Sequence, residues 1–153
     1  MSLTIGIAAE TLSGERRLPV VPDVVKKYLA LGAKVLMQKG AGRQAHYRDN
    51  DFSDVEFVDQ AEQIFARADV VLCVQPPSAE LVEAMKPGAV LLGMLQPWGS
   101  AERACHLAGR RITAFALELL PRISRAQSMD VLSSQAAVAG YECALIAADH
   151  SPR

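Results

Sequence analysis

The sequence predicts an α/β domain: a doubly wound, mainly parallel sheet of five strands, flavodoxin-like or Rossmann-like, followed by a long C-terminal linking helix. Three observations predict it. Short apolar runs alternate with stretches of helical periodicity along the chain. The run Asp69-Val70-Val71-Leu72-Cys73-Val74 is almost continuously apolar, as a parallel strand covered on both faces requires. Strands joined through helices run parallel with right-handed crossovers, and the flavodoxin-like order is the arrangement expected of them.

Each element has its own signal. Leu3-Thr4-Ile5-Gly6-Ile7-Ala8 reads as the first strand, and a polar loop follows it through Gly14-Glu15-Arg16-Arg17. Pro22-Asp23 opens a helix through Val24, Val25, Tyr28 and Leu29, with Gly32 as its C-terminal stop. Ala33-Lys34-Val35-Leu36-Met37 is the second strand and ends at Gly40-Ala41-Gly42; residues 43–53 read as an exposed loop with one short helical turn. Gln60 to Arg67 has helical spacing, the run from Asp69 is the third strand, and Pro76-Pro77 stops it. Ser78 is placed to cap a helix through Leu81, Val82 and Met85. Ala89-Val90-Leu91-Leu92 is the fourth strand, a helix follows at 101–108, and Arg111 to Ala116 is the fifth strand. A helix over residues 124–150 closes the chain, with Met129, Leu132, Ala136, Ala139, Cys143 and Ile146 as a stripe along it. Its small residues permit close helix approach, so a homodimer is the expected assembly.

The bulk properties bound the function. A chain of 153 residues suits one domain, residues 1–153, and half-apolar composition with 22% charged residues is globular. A net charge of −1, with Lys and Arg scattered, argues against a nucleic-acid or anionic-lipid partner. No secretory signal opens the chain, and the apolar stretch 136–148 carries Glu142 and falls short of the ~20 residues of a membrane span. A cytoplasmic location without direct membrane insertion is the expectation. Cys73, Cys105 and Cys143 are odd in number and far apart, and the three histidines are dispersed, so no disulfide framework and no metal site is expected.

Three segments are candidate sites. Gly40-Ala41-Gly42-Arg43-Gln44-Ala45 is a literal GxGxxA after a strand, but His46-Tyr47-Arg48-Asp49-Asn50-Asp51 lacks the apolar period of the helix that must follow a dinucleotide fingerprint. It reads as a glycine-rich turn. Glu15-Arg16-Arg17 lies beyond the first strand, where α/β sheets bind ligands; Arg there suits carboxylate or phosphate, and a solvated charge pair is the equal alternative. The third segment, Pro121-Arg122-Ile123-Ser124-Arg125-Ala126-Gln127-Ser128-Met129-Asp130-Val131-Leu132-Ser133-Ser134, packs polar groups just past the last strand. A binding loop and a helix start built on a Ser124-x-x-Gln127 capping box both account for it.

The chain resembles the alanine dehydrogenase and nicotinamide nucleotide transhydrogenase family. The likeness rests on Ile5-Gly6-Ile7 with Glu10-Thr11, Gly14-Glu15-Arg16-Arg17, Gly40-Ala41-Gly42, Val74-Gln75-Pro76-Pro77, Leu95-Gln96-Pro97 and the run Pro121 to Asp130. It extends from Leu3 to about Ala148, and the Arg-Ile-Ser-Arg-Ala-Gln run is specific to the transhydrogenase branch. The resemblance implies the first domain of a transhydrogenase α subunit. A Rossmann domain or subunit that lies outside this chain would bind most of NAD(H), and NADP(H) would sit on a partner domain beside membrane subunits. The chain would then be incomplete, and inactive in isolation. The resemblance assigns Gln127 and Asp130 to the catalytic machinery, and Arg122, Gln127, Asp130 and Ser133 to the nicotinamide end of NAD(H). Arg122 and Ser133 would bond the carboxamide, Gln127 the nicotinamide ribose, and Asp130 would fix the loop. In the alanine dehydrogenase branch an Arg, a Lys and a His hold pyruvate. Arg17 keeps the first, whereas Gln75 and Gln96 stand in place of the other two and supply neither ammonium nor imidazole. Two further readings stay open: a non-catalytic binding or assembly module, and half of an amino-acid dehydrogenase.

Overall fold

A computed structural model describes residues 2–151. Six strands form one parallel sheet: β1 (Thr4–Ile7), β2 (Lys34–Gln38), β3 (Glu56–Val58), β4 (Val70–Leu72), β5 (Val90–Gly93) and β6 (Thr113–Ala116), in the order β3-β2-β1-β4-β5-β6. The five strands read from sequence are β1, β2, β4, β5 and β6, and they lie in the flavodoxin-like order expected of them. The sixth, β3, adds at the outer edge of β2, with Met37 beside Phe57 and Gln38 beside Val58. Its three residues, with Val55 before them and Asp59 after, make a run too short for a strand signal of its own.

Four helices belong to the sheet unit, which ends at Ala116: α1 (Pro22–Ala30), α2 (Ala61–Arg67), α3 (Ala79–Ala84) and α4 (Ala101–Gly109). Successive strand residues point to opposite faces, so the sheet sorts its apolar side chains into two cores. Ile5, Ile7, Val35, Met37 and Leu72 pack with Val25 of α1 and with Phe52. Leu36, Val71 and Leu91 pack on the other face with Ile64 and Phe65 of α2, Val82 of α3 and Leu107 of α4. At Gly6 the helix comes so close that a Cβ would lie 2.6 Å from Ile64 Cγ2 and 2.7 Å from Ala68 Cβ. Pro22 opens α1, Ser78 caps α3 by accepting from Leu81 N, and Ser100 caps α4 by accepting from Arg103 N.

Residues from Leu117 onward form a second compact unit. The helix read over 124–150 divides there. Ser124–Met129 is a 3-10 turn, and α5 begins only at Val131 and runs to His150. Ser124 and Gln127 make no capping box; the cap is Asp130, whose carboxylate accepts from Ser133 N at 3.0 Å. The expected stripe on α5 is absent as well. None of its residues is buried, and Leu132, Val138, Tyr141, Leu145 and Ile146 leave it exposed and apolar on all sides. At 20 residues it has, by length and composition, what a membrane crossing needs.

Candidate functional site

Within the second unit Ile123 N donates to Pro121 O at 2.9 Å, a tight turn at Arg122, and the chain then winds into the 3-10 turn, where Ala126 N donates to Ile123 O. Pro121, Arg122, Ile123, Ser124, Ala126, Gln127, Asp130 and Ser133 line one open cavity of about 380 Å3. The four residues that the family resemblance singles out, Arg122, Gln127, Asp130 and Ser133, thus share a single concave surface. Arg122 and Gln127 are solvent-exposed on it, while Ala126 is buried and anchors the turn between them.

Asp130 is committed to its own chain. One carboxylate oxygen accepts from Ser133 N and the other accepts from the Ser133 hydroxyl at 2.6 Å. The Ser133 hydroxyl, then its N–H, hold the Asp130 carboxyl below the usual range, and the Arg122 charge adds in the same direction. A serine has one hydroxyl proton. With that proton donated in a hydrogen bond to Asp130, Ser133 is left with lone pairs as acceptors, Arg122 presents donors, and Gln127 offers both. The surface thus offers both hydrogen-bond donors and acceptors within one cavity.

Within the first unit a second polar network covers the carboxyl ends of β1, β4 and β5. Arg17 Nε and Nη2 donate to Glu15 Oε1 and Oε2 at 2.8 and 2.6 Å, a bidentate pair. Gln75 Nε2 donates to Glu15 Oε2 at 2.8 Å, and Gln96 Nε2 donates to Gln75 Oε1 at 3.0 Å. The Arg17 guanidinium, aided by Gln75, drives the Glu15 carboxyl down to about 2. Arg17, Gln75 and Gln96, set far apart in sequence, are brought together here, and Glu15 is the hub.

Glu10 carries no site signal in the sequence beyond its share of the family resemblance. Its carboxylate accepts from Val74 N at 2.5 Å and from Gln75 N at 3.1 Å, tying the end of β1 to the end of β4. Burial pushes its carboxyl above the ordinary range and Glu15 adds to this, while the two N–H groups oppose it. The signal that could have found it is its position, three residues past β1 on a ligand-binding edge of the sheet.

The Gly40–Ala45 segment is a packing turn. A 3-10 turn, Arg43–Ala45, follows the glycines in place of an α-helix, so no helix N-terminus is aimed at an anion. A Cβ at Gly42 would lie 2.9 Å from Tyr47 Cβ, and the Tyr47 ring stands edge-on to Phe52 with centroids 5.9 Å apart.

Over residues 6–139 the chain matches the family model for the N-terminal domain of alanine dehydrogenase/PNT. It is 40% identical over 150 residues to an NAD(P) transhydrogenase subunit alpha polypeptide of Rhodospirillum rubrum, covering 94% of this chain and 39% of that one. It is 31% identical over 155 residues to an alanine dehydrogenase of Mycobacterium tuberculosis, covering 99% of this chain and 41% of that one. The crystal structure of a transhydrogenase from Sinorhizobium meliloti superimposes with a TM-score of 0.92 at 38% identity, over 98% of this chain and 45% of that one. The chain therefore spans about two-fifths of the length of these curated relatives.

Proposed function

The chain belongs to the alanine dehydrogenase/PNT N-terminal domain family, and from that premise we propose that it supplies the nicotinamide-contacting segment of an NAD(P) transhydrogenase α component. The observation that carries this reading is the single cavity shared by Arg122, Gln127, Asp130 and Ser133. Its ~380 Å3 lies near the lower end of the range for ligand pockets, which suits one end of a dinucleotide and not the whole. Most of NAD(H) is assigned to a Rossmann domain or subunit outside this chain.

When bound, the nicotinamides supply the hydride chemistry, which needs positioning and electrostatics and no protein nucleophile or base. Arg122 donates to the carboxamide oxygen. The family resemblance implies a hydrogen bond from Ser133 to the carboxamide; because its hydroxyl donates to Asp130 here, Ser133 would instead accept from the carboxamide N–H2. Gln127 would hold the nicotinamide ribose, near an NADP(H) carried by a partner domain. Asp130 fixes the turn and the start of α5, so it is a positioning residue.

The partners of this reading are the NADP(H)-binding and membrane subunits, with the chain peripheral to an inner membrane through them and paired with a second copy. The apolar surface of α5 is taken to meet other protein, and Glu142 near its middle disfavours a lipid contact. A second reading, a non-catalytic assembly module, is favoured by that same exposed helix. Half of an amino-acid dehydrogenase is disfavoured, because Gln75 and Gln96 are neutral and Glu15 already holds the Arg17 fork.

The test is a chimera in which this chain replaces the matching 150 residues of the Rhodospirillum rubrum subunit. Hydride transfer from NADH to an NADP+ analogue is then measured with the partner subunits present. Transfer within about tenfold of the natural subunit supports the proposal. A chimera that binds NADH normally and assembles with its partners, yet transfers no hydride, would contradict it and favour the assembly module.

A further inference from the structure

We propose that Ser124 is a further binding residue of the cavity in the second unit, its hydroxyl holding the nicotinamide ribose together with Gln127. This rests on the reading of that cavity as the nicotinamide site and extends it to a residue that the family resemblance leaves unassigned.

A capping box would have committed the Ser124 side chain to the backbone of a helix start. No such box forms. Ser124 is the first residue of the 3-10 turn Ser124–Met129, and no side-chain cap is made there. A 3-10 helix has three residues per turn, so side chains at i and i+3 eclipse. Ser124, Gln127 and Asp130 therefore stand in one row, and all three line the cavity. Arg125 and Ser128 form the next row and do not line it. At about 2 Å of rise per residue, Ser124 and Gln127 lie about 6 Å apart along the turn, the span of one sugar ring.

The neighbouring serine hydroxyls have already given up their protons to hydrogen bonds. Ser133 donates to Asp130 Oδ2 at 2.6 Å, and Ser134 donates to Val131 O at 3.1 Å. Among the described residues no hydrogen bond engages the Ser124 hydroxyl, and the residue is solvent-exposed on the cavity. Of the two serines that line the cavity, Ser124 is therefore the one with a proton to give to a ligand. A ribose presents adjacent hydroxyls, each both donor and acceptor. The Gln127 amide and the Ser124 hydroxyl have the same dual character, whereas Arg122 only donates and the Asp130 carboxylate only accepts. The pair Ser124 and Gln127 is thus suited to the sugar, and Arg122 to the carboxamide oxygen.

The experiment uses the chimera with its partner subunits, as the parent and as Ser124→Ala and Ser124→Thr. Steady-state transfer is measured with NADH and with two analogues, whose nicotinamide ribose lacks one or the other of its free hydroxyls. Ser124→Ala is expected to raise the KM for NADH about three- to tenfold, the loss of one hydrogen bond, with kcat changed by less than about twofold. Ser124→Thr keeps the hydroxyl and is expected to bring the KM back to within about twofold of the parent. With one of the two analogues, parent and Ser124→Ala are expected to share the same KM, because the sugar hydroxyl and its partner act as a pair. A merely structural role would raise the KM equally for all three dinucleotides. A parent-like KM for NADH in Ser124→Ala, or a penalty undiminished with both analogues, would overturn the proposal and leave the nicotinamide reading intact. A parent chimera that assembles and binds NADH but transfers no hydride would instead remove the premise, and this proposal with it.

Discussion

The Ser133 hydroxyl donates to Asp130 Oδ2 at 2.6 Å while the Ser133 backbone N–H donates to Asp130 Oδ1 at 3.0 Å. One carboxylate thus caps α5 and fixes the direction of the hydroxyl in the cavity. Replacing Asp130 by Ala removes both effects. The helical signal in circular dichroism and the melting temperature are expected to fall, and hydride transfer in the chimera to fall by more than the lost fold explains. Asp130→Ser restores a cap without the paired acceptor. It should recover helicity and recover transfer only in part; full recovery of transfer would show that capping alone is the role of Asp130.

Gly6 is where α2 rests on β1. A methyl group there meets Ile64 Cγ2 and Ala68 Cβ well inside contact distance, and both belong to buried residues. Gly6→Ala is expected to destabilise the sheet unit by about 1–3 kcal/mol through overpacking. Denaturant unfolding measures this, and an unchanged midpoint would show that the helix yields freely.

Glu15 sets part of the acid response. Its carboxyl is lowered from 4.5 to about 2 by Arg17, so the stability it adds is fully present above pH 4.5 and is lost as pH falls towards about 2. Glu10 has the opposite sign: its raised carboxyl favours the fold below pH 4.5 and loses that contribution as pH rises. Glu15→Gln is therefore expected to lower the melting temperature at neutral pH and to flatten its decline between pH 4.5 and 2. A decline as steep as the parent's would place the acid sensitivity elsewhere.

Trp98, the one tryptophan, is 76% exposed in the turn after β5. NADH added to the isolated chain is expected to change its fluorescence weakly and without saturation, because most of the cofactor site is assigned to another domain. Tight, saturable quenching would contradict that assignment.

Much of this architecture was legible in the sequence, for physical reasons. Buried parallel strands are apolar on both faces, so the runs at Ile5, Val35, Val71 and Leu91 announce themselves, and their order follows from the crossovers between them. The strand β3 was hidden because an edge strand of three residues shows no periodicity. The start of α5 was misplaced because Ser124 and Gln127 imitate a capping box, while Asp130 offers a carboxylate that accepts from Ser133 twice. The candidate residues Arg122, Gln127, Asp130 and Ser133 form a local run, so they share a cavity without any long-range contact, and the run stands out in the sequence for that reason. The ties from Glu10 to Val74 and Gln75 and from Glu15 to Gln75 were not legible, because they join residues 60 to 65 positions apart, whereas the Glu15–Arg17 pair spans two residues and was open to reading as a charge pair.

The most direct measurement is single-turnover hydride transfer in the chimera with Arg122 and Gln127 both replaced by Ala. Folding and assembly serve as controls, since both side chains are exposed. A folded, assembled double variant is expected to transfer hydride at least about a hundredfold more slowly than the parent chimera. Transfer at the parent's rate would contradict the claim that this segment grips the nicotinamide.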